Sequence, residues 1–220
     1  MSKILIISPH ADDETLGAGG SLLKFRDMGN DLYWINVTNS EVEYGYSDEE
    51  VLQGKNEIDA VAKKYSFKEY FDFRLQPAAL QRYDLNELID MFSKVFRHVE
   101  PNIVILPYSE DAHSDHKIVF NVAMSCVKAF RYPFIKKIMC MEIISETDYA
   151  ISDKGFVPNY YVNIDDYLEE KLSIMNIYVN EWGESPFPRN PDALKGLAQY
   201  RASACYCKYA EAFRIIKEIL

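Results

Sequence analysis

Apolar residues fall along this chain in two kinds of run. Some are short and uninterrupted: Ile4 to Ile7 and Ile103 to Leu106 are each four aliphatic residues in a row, which suits strands covered on both faces. Others recur at three- and four-residue steps. Leu85, Leu88, Ile89, Phe92, Val95, Phe96 and Val99 are the clearest case, and they predict an amphipathic helix closed by Pro101. The same reading predicts strands over 31–39, Tyr70 to Phe73, Lys137 to Ile144 and Tyr160 to Ile164. It predicts helices after the Gly17 to Gly20 stretch, over 49–64, over 116–130, from Asp165 or Asp166 to Val179, and over 192–218. Gly29-Asn30 stops the first helix. Residues 38–46 read as a polar loop, and 181–192, with three prolines, as another. Alternating β and α elements with short connections predict a single-domain α/β fold over 1–220. Its sheet should be Rossmann-like and mostly parallel, flanked by helices.

The chemistry gathers where the two uninterrupted runs stop. Ile4 to Ile7 ends at Ser8-Pro9, and His10, Asp12, Asp13 and Glu14 follow at once. Ile103 to Leu106 is followed, after a loop, by His113, Ser114, Asp115 and His116. Open α/β sheets place functional groups at the carboxyl ends of their strands, so two parallel strands would bring both packets to one edge. Three of the four histidines lie in these packets.

A catalytic zinc site takes about three protein ligands and keeps one position open. His10 and Asp13, three residues apart, can share an ion, with His116 as third ligand. Asp12, beside a ligand yet free, is placed to act as general base. His113 can stabilise an oxyanion or protonate a leaving amine, and Asp115 can hold an imidazole in one tautomer. Two histidines and a carboxylate also make the facial triad of iron(II) enzymes. An acidic run after a strand is also an ordinary helix N-terminus.

Charge narrows the partners. Lys and Arg number 24 against 34 Asp and Glu, for a net charge of −10, which argues against an exposed nucleic-acid-binding face. No apolar run approaches the ~20 residues that cross a bilayer, and the expectation is a soluble, cytoplasmic protein. Cys126, Cys140, Cys205 and Cys207 have no CxxC spacing and read as reduced thiols. Gly17 to Gly20 fits neither a Walker loop nor a dinucleotide fingerprint.

Taken together, the residues resemble a family. The stretch from Pro9 to Glu14 resembles the HPDDE-type signature of the PIG-L/LmbE-like N-deacetylases, and His113 to His116 resembles their HxDH signature. The likeness extends to Phe156 to Asp165 with Lys171, and to Lys208 to Phe213. The resemblance implies a zinc-dependent hydrolase that removes the acetyl group from a small N-acetylated amino sugar or glycoconjugate, with Fe2+ or Co2+ as alternative ions. It implies His10, Asp13 and His116 as ligands, Asp12 as base, His113, protonated, as the partner of the amide oxygen, and Asp115 as support. Glu41, Arg201 and Tyr209 are candidate substrate contacts. The chain departs from the pattern at Ala11, at Ser40, at Gly54 three residues before Glu57, and at Ala202 after Arg201. A carbohydrate-binding relative without activity is the competing reading, and a homo-oligomer is compatible with the sequence.

Overall fold

The computed structural model describes residues 1–220, the side chain of Ser152 excepted. Seven strands form one sheet. In chain order they are β1 (Lys3–Ser8), β2 (Asp31–Thr38), β3 (Glu69–Leu75), β4 (Ile103–Leu106), β5 (Lys137–Met141), β6 (Tyr160–Asn163) and β7 (Ala210–Glu218). Their spatial order is β3-β2-β1-β4-β5-β7-β6. The five strands from β3 to β5 run parallel, and β7 pairs antiparallel with both β5 and β6.

Helices cover both faces: α1 (Asp13–Asp27), α2 (Asp48–Tyr65), α3 (Leu85–Val99), α4 (Ser114–Ser125), α5 (Leu168–Met175) and α6 (Pro191–Ala202). The uninterrupted aliphatic run of β1 reflects this. Ile4 and Ile6 point into one apolar cluster with α1, α2, α5 and α6. Leu5 and Ile7 point into a second cluster with α3 and α4. Each such side chain stabilises the fold by about 1.5–3 kcal/mol on burial. The predicted α3 matches its observed range, and its start is fixed by Asp84, whose side chain accepts from the N–H groups of Asn86 and Glu87. At the start of α2, Ser47 and Glu50 form a reciprocal capping box.

α1 lies at the centre of its layer, buried along most of its length. A Cβ on Gly20 would meet Ile164 at 2.8 Å, so glycine is required for that close approach. Lys171 of α5 donates to the carbonyl of Leu16 at 2.8 Å and to Glu211 at 2.7 Å. Glu211 of β7 in turn accepts from the N–H groups of Gly20 and Ser21. This buried pair ties the middle of α1 to two later elements.

The helix expected over 192–218 is corrected. α6 ends at Ala202, a turn follows, and Ala210–Glu218 is a strand between β5 and β6. Alanine, glutamate and lysine favour helix locally, but the open edges of β5 and β6 each require a hydrogen-bonding neighbour. The helices expected over 116–130 and from Asp165 or Asp166 to Val179 are also shorter, ending at Ser125 and Met175.

Candidate metal centre and active site

β1 and β4 are parallel neighbours, Ile4 pairing with Ile103. From β1 the chain moves outward to β2 and β3, then returns across the sheet to β4. The two packets therefore meet at a topological switch point, where α1 and α4 leave on opposite faces. The turn after β1 is fixed by Thr38, whose N–H and hydroxyl both donate to the Pro9 carbonyl, at 3.0 and 2.8 Å. The His10 N–H donates to Asp13 Oδ2 at 2.9 Å, which starts α1 with its acids facing inward.

His10, Asp13 and His116 each offer a ligand atom within 4.8 Å of the others. Asp13 Oδ2 lies 3.5 Å from His10 Nδ1 and 3.3 Å from His116 Nε2. A second group, His10, His113 and Asp115, meets the same distance. The two differ in what is left to bind. Buried Asp13 Oδ1 has no hydrogen-bond partner among the described residues. Both Asp115 oxygens are in use, accepting from the N–H of Ala78 at 2.7 Å and of Leu80 at 3.3 Å. Asp115 Oδ2 also lies 3.2 Å from His10 Nε2, so the imidazole it supports is that of His10.

The support for His116 is a residue that the sequence did not single out. Asp111 Oδ2 lies 2.9 Å from His116 Nδ1, and Asp111 Oδ1 accepts from the Thr147 hydroxyl at 2.7 Å. Such a carboxylate–imidazole pair orients a ligand nitrogen towards a metal. Asp111 is a loop residue with no motif spacing to mark it.

The electrostatics are those of a cation site. Burial pulls His10 down, yet hydrogen bonds to Asp115 and Asp13 outweigh it and hold the imidazole at about 9. Burial also pulls His116 down, and the charge of Asp13 with the bond to Asp111 lifts it to about 10. Asp13 is pushed up by burial but held well below the usual carboxylate range by His116 and His10. One divalent cation supplies what those two protons supply, and the free Asp13 oxygen gives it a lone pair. The donors thus fit a metal ion.

Around this centre stand the groups proposed to react. Asp12 is buried, and burial together with the Asp13 charge raises its carboxyl well above the usual range, against the opposing charge of Arg189. His113 caps α4, its Nδ1 accepting from the Asp115 N–H at 3.1 Å. Burial and the neighbouring His10 lower it. With Nδ1 accepting the Asp115 N–H, Nε2 is the ring nitrogen of His113 left to donate.

A cavity of about 430 Å³ opens from the centre. His10, Asp12 and His113 line it together with Ser40, Glu50 and Glu57. Arg189 is the one Lys or Arg that lines it among the described residues. The three expected substrate contacts lie elsewhere. Glu41 turns to Arg74, 3.5 Å away. Arg201 is paired with Glu142. Tyr209 is packed in the apolar core.

Residues 5–127 match the family model described as PIG-L: GlcNAc-PI de-N-acetylase. The diacetylchitobiose deacetylase of Thermococcus kodakarensis is 26% identical over 235 residues, covering 100% of this chain and 85% of that protein. Among solved structures, the N,N'-diacetylchitobiose deacetylase of Pyrococcus horikoshii superposes with a TM-score of 0.78 at 22% identity, covering 98% of this chain and 84% of the other. The 4-carboxy-2-hydroxymuconate hydratase of Pseudomonas putida gives 0.77 at 14% identity, covering 100% and 98%. One fold thus carries different reactions, and the site must decide between them. The match to the family model covers more than half of the sequence, and the chain belongs to the PIG-L, GlcNAc-PI de-N-acetylase, family.

Proposed function

We propose that this protein is a metal-dependent amide hydrolase that removes the N-acetyl group from an N-acetylated amino sugar or glycoconjugate, working in the cytoplasm as one deacetylase domain over 1–220. The observation that carries the reading is the group of His10, Asp13 and His116, with a free Asp13 oxygen and Asp12 alongside, next to a sugar-sized cavity that His10 and Asp12 line. Family membership and the deacetylase named among the relatives support it.

His10, Asp13 and His116 would hold the ion, with zinc the choice that suits two imidazoles and a carboxylate. When bound, zinc supplies Lewis acidity and lowers the pKa of a coordinated water towards ~7. Asp12 takes the proton of the attacking water as the oxygen adds to the acetyl carbon. The His113 Nε2–H donates to the amide oxygen as negative charge develops there, in a site where burial strengthens the bond. The C–N bond then breaks, and Asp12 returns its proton to the departing nitrogen. Acetate and a free amine leave. Asp115 and Asp111 keep His10 and His116 oriented throughout.

An iron(II) oxygenase would use the same ligand set but has no need of Asp12 and His113. A sugar-binding relative would have no use for a buried base. Acetate release from a panel of N-acetylated sugars, before and after chelation and with zinc restored, tests the reading. Release that disappears with chelation and returns with zinc is expected. Tight sugar binding with no release from the reconstituted protein would leave a binder.

A further inference from the structure

Arg189 sits in the loop between α5 and α6, where no metal or catalytic motif draws attention to it. We infer that Arg189 is a positioning residue for Asp12: it holds one carboxylate oxygen so that the other faces the cavity. The inference rests on the deacetylase reading above.

Three separate segments fix the guanidinium. Its Nη1 donates to Asp12 Oδ2 at 2.7 Å and to Glu181 Oε2 at 2.7 Å. Its Nε donates to the hydroxyl of Ser145 at 3.0 Å, and Nη2 lies 3.5 Å from Glu146 Oε1. Ser145 and Glu146 follow β5, Glu181 follows α5, and Asp12 lies in the turn between β1 and α1. A planar, permanently charged fork held at three nitrogens has little freedom left, and it transmits that rigidity to the group it touches. The backbone of Arg189 is held on both sides as well. Its carbonyl accepts from the Gly183 N–H at 3.0 Å, and the next residue, Asn190, caps α6 by accepting from the Ala193 N–H.

The consequence falls on Asp12. Among the described residues its Oδ2 accepts from Arg189, no protein donor engages its Oδ1, and the residue lines the cavity. A base must present one lone pair to the attacking water at a fixed angle, and a buried carboxylate held at a single oxygen does that. Two other roles fit less well. A guanidinium free to bind an anionic substrate would not already face Asp12, Glu146 and Glu181. A purely structural bridge would not need to end on the proposed base.

The test compares Arg189→Ala and Arg189→Lys with the parent for kcat, KM, melting temperature and bound zinc, using the acetylated sugar that the parent turns over best. Misplacing a reacting group by an ångström costs about 100-fold, so kcat of Arg189→Ala should fall by about that factor while KM stays within about threefold. Arg189→Lys should keep an intermediate kcat. Added guanidinium ion should restore part of the Arg189→Ala rate and none of the Asp12→Asn rate. Should the alanine variant not fold, the lysine variant alone decides: kcat equal to the parent's overturns the inference. So does a rise in KM at unchanged kcat, which would make Arg189 a substrate contact. No acetate release by the parent from any sugar overturns the deacetylase reading, and this inference with it; parent turnover with unchanged kcat in both variants overturns the inference alone.

Discussion

Two clusters of buried charge flank α1, and they are built to opposite ends. In the cluster of Lys171 and Glu211 both charged groups are matched: the ammonium donates to Glu211 and to the Leu16 carbonyl, and both Glu211 oxygens accept N–H groups of α1. At the first turn of the same helix, Asp12 and Asp13 lie against His10, His116 and Arg189, and Asp13 Oδ1 remains without a partner among the described residues. A satisfied cluster holds elements together. A carboxylate oxygen left spare between two imidazoles is free to take a cation. The two should therefore respond to mutation in different currencies, stability for the first and turnover for the second.

The largest effect should come from removing the ion. His116→Ala, or chelation of the parent, should bring acetate release to background. Zinc should restore the chelated parent but not the variant, as metal analysis and an acetate assay on the same samples will read. A variant that binds zinc and turns over normally would move the ligand set to His10, His113 and Asp115.

The opposite response is expected from Lys171→Met. It leaves the Glu211 carboxylate in the interior without its cation, and breaking a buried pair from one side costs about 3–5 kcal/mol. Urea unfolding should show that loss, while kcat per folded molecule stays near the parent's. A stability change below about 1 kcal/mol would mean that the α1 seam tolerates an uncompensated carboxylate, against the usual cost of such a group.

Glu14 sharpens the comparison because it lies between the two clusters. Burial raises its carboxyl from 4.5 to about 7, against hydrogen bonds from Thr15 and Tyr178. The folded state therefore binds the proton more tightly than the unfolded chain. This contribution is most favourable at low pH, is lost as pH rises from 4.5 to about 7, and is constant above that. Glu14→Gln, which cannot ionise, should gain on the metal-free parent by roughly 2–3 kcal/mol between pH 5 and pH 8. Parallel pH profiles for the two proteins in urea would show that Glu14 ionises freely in the fold.

Much of this contrast was legible in the sequence, for reasons that can be named. β1, β4 and the two packets stood out because His10 to Glu14 follows directly on one apolar strand and His113 to His116 follows the other after a short loop, so local pattern and spatial position coincide. α3 was legible because its apolar stripe and Pro101 agree, and the Asp84 cap fixes its start in the structure. Where local preference and tertiary need diverge, the reading failed. Ala210–Glu218 has helix-favouring residues but fills the place between two strand edges. Asp111 and Arg189 reach His116 and Asp12 through loop geometry, across 5 and 177 positions, and nothing in the local pattern marks either pairing. Glu41, Arg201 and Tyr209 had suitable chemistry, but Arg74, Glu142 and the apolar core engage them instead.

The central claim is that a base beside the metal, and not the metal alone, performs the hydrolysis. Asp12→Asn tests it most directly, with kcat, bound zinc and melting temperature measured on one preparation. The account predicts one zinc per chain, a melting temperature within a few degrees of the parent's, and kcat reduced by about 10²–10⁴. Turnover equal to the parent's at full zinc occupancy would contradict it.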